Sequence, residues 1–117
     1  MEIGFHETTA TLVAYIDGNA SLYLSSGGGV IGGFAHESVR NAAVAFVNES
    51  QGFMKKGNKV QSYSLPQSGH VIFYLMSKNE VYSRDIEETK LQNYESEFTK
   101  LYAYGQNVIT ELRKIAG

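Results

Sequence analysis

The segment HVIFYLM, residues 70–76, decides the fold of this chain. Successive side chains of a strand point to opposite faces of its sheet, and in this segment both sets are apolar. A strand that is apolar on both faces must be covered on both faces. The segment therefore predicts a central strand of a sheet that has a helix on each face.

Two further strands are predicted as a hairpin near the N-terminus. Apolar and polar residues alternate over residues 9–16 and again over residues 20–25. Between them lies Asp17-Gly18-Asn19, a turn sequence in which glycine and asparagine accept a positive φ. Shorter strands are predicted over residues 60–64 and 80–86. Residues 1–8 are expected to be a loosely held arm outside the sheet.

Two amphipathic helices complete the predicted element order. From residue 36, apolar side chains recur at intervals of three and four through Val47. A second stripe runs from Tyr94 to Ile115, with Asn93 as its predicted N-cap. Gly105 lies in this stripe, where its missing side chain is expected to let the helix approach the sheet closely. The order β-β-α-β-β-β-α with short connections predicts an α+β protein with one five-stranded antiparallel sheet.

The overall composition is that of an ordinary globular protein and disfavours several classes of partner. Residues 1–117 fit a single domain, with 43% apolar residues and no cysteine. The formal charge of −2 gives no basic surplus, so we expect no nucleic-acid partner. No apolar run reaches the roughly 20 residues of a membrane span, and the acidic N-terminus lacks the pattern of a signal peptide. These features predict a cytoplasmic protein without a membrane partner.

The segment GGGVIGG, residues 27–33, is the most unusual local feature. Three of its glycines fit G-x-G-x-x-G, but the preceding strand belongs to a hairpin rather than to a βαβ unit, which disfavours dinucleotide binding. One interpretation is a crossover to the helix in which glycine supplies unusual backbone angles. The alternative is a small-ligand or anion site made by loop amides near the helix start. That site would consist of Gly27, Gly28, Gly29, Gly32, Gly33, His36 and Arg40.

No catalytic or metal-ligating set can be assembled from the sequence. His6, His36 and His70 fall on an arm, a helix start and a strand, without the spacing of metal ligands. The chain lacks a G-x-S-x-G elbow, and its paired carboxylates lie in residues 85–97, a polar run typical of a solvated connector. The sequence therefore predicts no enzyme activity, no bound metal and no cofactor.

Tyrosine is abundant, with eight among the 117 residues. Its ring and hydroxyl suit half-buried positions, and tyrosine is enriched at protein interfaces. The short strand at residues 60–64 carries no feature that protects a sheet edge. We therefore expect a homodimer whose interface includes Val60, Tyr63, Tyr15 and Tyr23.

Taken together, these elements resemble a known group of folds. A hairpin with Asp17-Gly18, a helix, three further strands and a terminal helix are similar in order to the roadblock/longin group of profilin-like folds. The segments ASLYLSSGGGVIGG (20–33) and YGQNVITELR (104–113) resemble parts of a family of small uncharacterised bacterial proteins. The roadblock/longin resemblance implies a non-catalytic protein that dimerises and acts as a scaffold or as a regulator of small GTPases. Our hypothesis is accordingly a dimerising scaffold or regulatory module that binds a protein partner.

Overall fold

A seven-stranded antiparallel sheet forms the framework of the computed structural model, which describes residues 1–116. Its strands follow the order β4-β3-β2-β1-β6-β7-β5. They are β1 (Glu2–Gly4), β2 (Thr9–Ala14), β3 (Ala20–Leu24), β4 (Gly29–Val30), β5 (Asn58–Val60), β6 (His70–Met76) and β7 (Val81–Glu87). The helices are α1 (Glu37–Ser50), α2 (Glu88–Gln92) and α3 (Thr99–Ala116). The α+β class is confirmed, but the prediction of five strands is wrong because β1 and β4 add two short ones.

The N-terminal segment is part of the sheet, so the prediction of a loose arm is wrong. Strand β1 pairs with β2 on one side and with β6 on the other. The Met1 amino group donates to the Leu12 carbonyl at 3.0 Å, and Leu12 N–H donates back to the Met1 carbonyl at 2.8 Å. Both Met1 and Ile3 are buried. A three-residue strand is too short for the alternation that identifies strands in a sequence.

The glycine segment folds as a hairpin that adds β4 to the sheet. Gly27 N–H donates to the Leu24 carbonyl at 2.9 Å, and Leu24 N–H donates to the Gly28 carbonyl at 3.1 Å. Gly29 has a φ of 150°, and a Cβ there would lie 2.1 Å from the Leu22 carbonyl oxygen. Only glycine allows β4 to pair this closely with β3.

Both long helices pack on the same face of the sheet, so the prediction of a helix on each face is wrong. Helices α1 and α3 contact each other, and both contact β3. Their buried residues join one core with alternate side chains of the strands. The strand residues in this core include Ile3, Leu12, Leu22, Val71, Phe73 and Leu75. The apolar pattern of β6 predicts that both faces are covered, but it does not specify what covers them.

Gly105 makes room for Met1 and for α1 rather than for the sheet. A Cβ on Gly105 would lie 2.7 Å from Met1 Cε and 3.2 Å from Phe46 Cε1. The expected close approach is therefore present, but between α3, the first residue of the chain and α1. The absence of a side chain at this position lets three elements meet in the core.

The connection between α2 and α3 has an unusual backbone. Tyr94 has a φ of 60°, in the left-handed region that favours glycine. Glu95 N–H donates to the Lys90 carbonyl at 2.9 Å, and Tyr94 N–H lies 3.5 Å from the Leu91 carbonyl oxygen, as in a Schellman motif that ends α2. Asn93 therefore lies at the C-terminal end of α2, and the prediction that it caps the last helix is wrong.

Candidate functional site: the open face of the sheet

Among residues 1–116, no helix packs on the face of the sheet opposite α1 and α3, and we call this face the open face. Strand alternation places on it every second residue, including Thr11, Val13, Tyr23, Ile72 and Met76. Tyr23 is 45% exposed and Met76 is 61% exposed. Large apolar side chains thus remain in contact with solvent on this face.

An extended segment, residues 61–69, crosses part of the open face, and we call it the strap. The Tyr74 hydroxyl donates to the Ser64 carbonyl at 2.6 Å, and the rings of Tyr63 and Tyr74 lie 4.9 Å apart. Burial raises the pKa of Tyr74, and the nearby carboxylates add to the rise. Ile72, which lies between Glu2 and Asp85 on the open face, is only 5% exposed. The strap thus covers the centre of the face and leaves its periphery exposed.

Gly4 sets how closely the strap approaches the sheet. A Cβ on Gly4 would lie 2.1 Å from the Gln67 carbonyl oxygen, so any larger residue would displace the strap. Gly69 N–H donates to the Gly4 carbonyl at 2.9 Å, which holds the end of the strap on β1. The neighbouring Pro66 is buried.

Two carboxylates, those of Glu2 and Asp85, flank Ile72 in the middle of the open face. Thr11 Oγ1 donates to Glu2 Oε2 at 3.3 Å. Glu2 Oε1 is enclosed and has no hydrogen-bond partner among residues 1–116. The Asp85 carboxylate is bonded to His70 Nδ1 at 2.7 Å.

The four residues predicted at an interface share this side of the sheet but occupy its two ends. Val60 pairs with Val81 on β7, and Tyr63 packs on Tyr74. Val60 and Tyr63 also line a cavity of about 390 Å³ at the β5 edge. Tyr23 lies on β3, and Tyr15 follows β2 in the same alternation, both at the far end of the sheet from β5.

Two donors of the predicted anion site, the Gly27 amide and the Arg40 guanidinium, are engaged in other contacts. The amide of Gly27 is used within the β3–β4 hairpin, while Gly32 and Gly33 lie beyond it. His36 precedes α1, and its carbonyl accepts from Arg40 N–H at 3.0 Å. Arg40 Nη1 donates to the Phe34 carbonyl at 2.7 Å, and its guanidinium lies 5.6 Å from the Phe34 ring centroid. An anion site here stays a prediction.

The three histidines lie apart. His6 is exposed beside Glu7, His36 precedes α1, and His70 Nδ1 lies 2.7 Å from Asp85 Oδ1. Within residues 1–116, no group of three or more metal-ligating side chains could hold a metal ion. Over the same residues, none of the helices has the length and apolar character needed to cross a bilayer.

A polar cleft of about 340 Å³ along the outer edge of β7 is a feature that sequence reasoning missed. Arg84 Nη1 donates to the Lys56 carbonyl at 3.1 Å, and its guanidinium lies 5.5 Å from the Phe98 ring centroid. Lys56 Nζ lies 2.8 Å from Glu97 Oε1, and this contact lowers the pKa of Glu97. The acidic run 85–97 predicted a solvated connector, whereas it forms the end of β7, helix α2 and the turn that walls this cleft.

Comparison of the chain with models of protein families, with curated proteins and with solved structures finds no match.

Proposed function

We propose that this protein is a non-enzymatic module that forms a homodimer through its open face and leaves the rest of its surface for a protein partner. The observation that supports this most is the exposure of apolar side chains on a sheet face without a helix. A second copy on the same face would complete the cover that a strand with two apolar faces requires. A two-fold axis through this face would give both copies the same contacts.

The surface area of the chain supports an interface of ordinary size. Its accessible surface is 6967 Å², against about 6,300 Å² expected for a folded monomer of this mass. A standard interface buries roughly 800 Å² of each partner, which is about a tenth of the surface of a small protein. Exposed apolar side chains of the open face and strap, such as Met76 and Leu65, supply such an area.

The charge distribution favours a second copy over a charged partner. The two carboxylates at the centre of the open face are engaged within the chain: Glu2 is half-buried and accepts from the Thr11 hydroxyl, and Asp85 is bonded to His70. Because the Asp85 charge is paired within the chain and Glu2 is half-buried, two identical faces meet with little like-charge repulsion. Aromatic residues and methionine, represented here by Tyr23 and Met76, are the types enriched at interface centres.

The test is the mass of the protein in solution, measured by size-exclusion chromatography with light scattering. At about 1 mM we expect twice the 12.9 kDa chain mass. Met76→Glu places a carboxylate in the apolar interface and should weaken dimerisation at least about tenfold. Tyr94→Glu is the matched control, because Tyr94 is 85% exposed on the α2–α3 connection, away from the open face.

The proposal fails if the unmodified chain stays at the monomer mass at that concentration. It also fails if Met76→Glu and Tyr94→Glu have the same effect on mass. The order of elements that resembles roadblock and longin domains agrees with a dimerising scaffold or regulator, as does the expected location in the cytoplasm. The two extra strands and the placement of both long helices on one face are not implied by that resemblance.

A further inference from the structure

The outer edge of β7 is only half covered by a neighbouring strand. Strand β6 pairs with all seven residues of β7, from Val81 to Glu87. Strand β5 pairs only with Val81, Tyr82 and Ser83. The last four residues of β7 therefore have no strand on their outer side.

The hydrogen bonds at the two ends of the β6–β7 ladder show which backbone groups point outward. Ser77 N–H donates to the Glu80 carbonyl at 2.9 Å, and Glu88 N–H donates to the Gly69 carbonyl at 2.8 Å. In an antiparallel pair, every second residue bonds its partner strand and the residues between face away. The hydrogen bonds at the two ends of the ladder give the same alternation along β7. In this alternation the backbone N–H and carbonyl groups of Asp85 and Glu87 point away from β6.

Three backbone groups are thus free at this edge. They are the N–H and carbonyl of Asp85 and the N–H of Glu87, because the Glu87 carbonyl is in position to begin helix α2. Within residues 1–116, no hydrogen bond outside the sheet ladders uses these three groups. Backbone groups left unpaired along a strand edge form a template for another extended chain.

The polar cleft of about 340 Å³ lies along this edge, and the charged side chains that line it set the charge of the edge. Its lining includes four carboxylates, those of Asp85, Glu87, Glu95 and Glu97. The permanent cations in the lining are Arg84 and Lys90. Asp85 is bonded to His70 and Glu97 to Lys56, which leaves Glu87 and Glu95 without an ion-pair partner among residues 1–116. The excess of negative charge favours a partner with basic side chains.

We infer that this edge binds an extended peptide segment with lysine or arginine side chains, which adds as a strand beside Asp85 and Glu87 in line with β5. Main-chain hydrogen bonds to the three free groups supply the pairing, as in other cases of strand addition. The basic side chains then meet Glu87 and Glu95. The inference concerns the outer edge of β7, which adjoins the open face, and its test measures backbone pairing rather than the mass of the protein in solution.

The peptide acetyl-Lys-Val-Lys-Val-Lys-amide is a suitable probe, with acetyl-Glu-Val-Glu-Val-Glu-amide as the charge-reversed control. Titrated into the ¹⁵N-labelled chain, the lysine peptide should shift the amide signals of Asp85, Glu87 and Glu95. The glutamate peptide should bind at least about tenfold more weakly because it meets like charge.

Two variants at one position separate the backbone contribution from the charge. Glu87 has a φ of −61°, which proline adopts without strain. Glu87→Pro removes the outward N–H, whereas Glu87→Ala removes only the side chain. We expect Glu87→Pro to bind the lysine peptide about tenfold more weakly than Glu87→Ala, since one hydrogen bond is lost and the proline ring obstructs the edge.

The outcomes are decisive even if Glu87→Pro fails to fold. A lysine peptide with alternate N-methylated amides cannot pair with a strand edge and should not bind the unmodified chain. The inference is overturned if the lysine peptide shifts no signals at this edge at millimolar concentration. It is also overturned if the N-methylated peptide binds equally well, or if folded Glu87→Pro and Glu87→Ala bind equally.

Discussion

The side chain of Met1 occupies the space that a side chain on Gly105 would need, with Met1 Cε 2.7 Å from the position of a Cβ there. The first residue of the chain and the middle of the last helix thus meet in the core. Ile3 and Leu112 belong to the same buried cluster. This contact explains why a glycine is present in the interior of a helix, where it costs about 1 kcal/mol relative to alanine.

Gly105→Ala is therefore expected to destabilise the fold despite the better helix propensity of alanine. Displacing Met1 and Phe46 costs about 2 kcal/mol, and the gain in propensity returns about 1 kcal/mol. A net loss of about 1 kcal/mol should appear in urea unfolding. Ala103→Gly, at an exposed position of the same helix, is the control and should lose about 1 kcal/mol through propensity alone. If Gly105→Ala is more stable than the unmodified chain, the flexible end of the Met1 side chain moves aside at little cost and close packing does not require glycine here.

The buried amino group of Met1 makes stability depend on pH. Burial lowers its pKa from 8.0 to about 6, and the neighbouring Glu2 carboxylate only partly opposes this effect. Between pH 6 and pH 8 the unfolded chain holds the proton and the folded chain does not, so the free energy of unfolding rises with pH. The total rise is about 2 to 3 kcal/mol, complete above pH 8 and lost as pH falls to 6.

Urea unfolding at several values between about pH 5.5 and pH 8.5 measures this rise. The control is a variant in which His6, His36 and His70 are all glutamine, so that the Met1 amino group is tested in a chain without imidazole side chains. The rise should persist in that variant. A free energy of unfolding that is flat or falls with pH in the histidine-free variant would contradict the burial of this amino group.

Tyr94→Gly should stabilise the protein. Tyr94 is exposed and lies at a left-handed helix-ending position, where a residue with a Cβ is strained. Glycine removes that strain, and the expected gain is about 1 kcal/mol in the free energy of unfolding. Tyr94→Ala is the matched control: it keeps the strained backbone and should change stability by less than about 0.5 kcal/mol. Equal effects of the two substitutions would show that backbone strain is not the cause.

Gly4→Ala should release the strap from the open face. The added methyl group would meet the Gln67 carbonyl oxygen, which belongs to the backbone and cannot turn aside. We expect faster hydrogen exchange and faster proteolysis across residues 61–69. Gly52→Ala is the control, because a Cβ at Gly52 would have no neighbour within 4 Å. Unchanged exchange in the strap of Gly4→Ala would show that the strap does not pack on Gly4.

The sequence predicts those parts of the fold that carry a long or distinctive pattern. Strand β6 has the predicted bounds, and the hairpin of β2 and β3 is confirmed to within two residues. Strands β1 and β4 were missed because two or three residues hold no periodic signal. Strand β1 is placed by long-range pairing with β6, and β4 by a hairpin with β3 across a turn of glycines.

The candidate site was predictable only in part. Tyrosine enrichment and the exposed strand near Val60 identified residues on the open face, but the strap that covers Ile72 is an irregular segment with no sequence signal. The cleft along β7 was missed because it begins where β5 stops pairing with β7. That point is set by the register of the two strands, which the sequence does not show. The left-handed backbone at Tyr94 could not be expected, since tyrosine disfavours it.

The central claim is that the open face of the sheet is the dimer interface, and the thiol reactivity of Met76→Cys tests it most directly. The chain has no cysteine, so this variant has a single reactive thiol. We predict that its labelling rate falls at least about tenfold as the protein concentration rises from about 1 µM to about 1 mM, while the rate for Tyr94→Cys stays constant. A labelling rate for Met76→Cys that does not change with concentration would contradict the account.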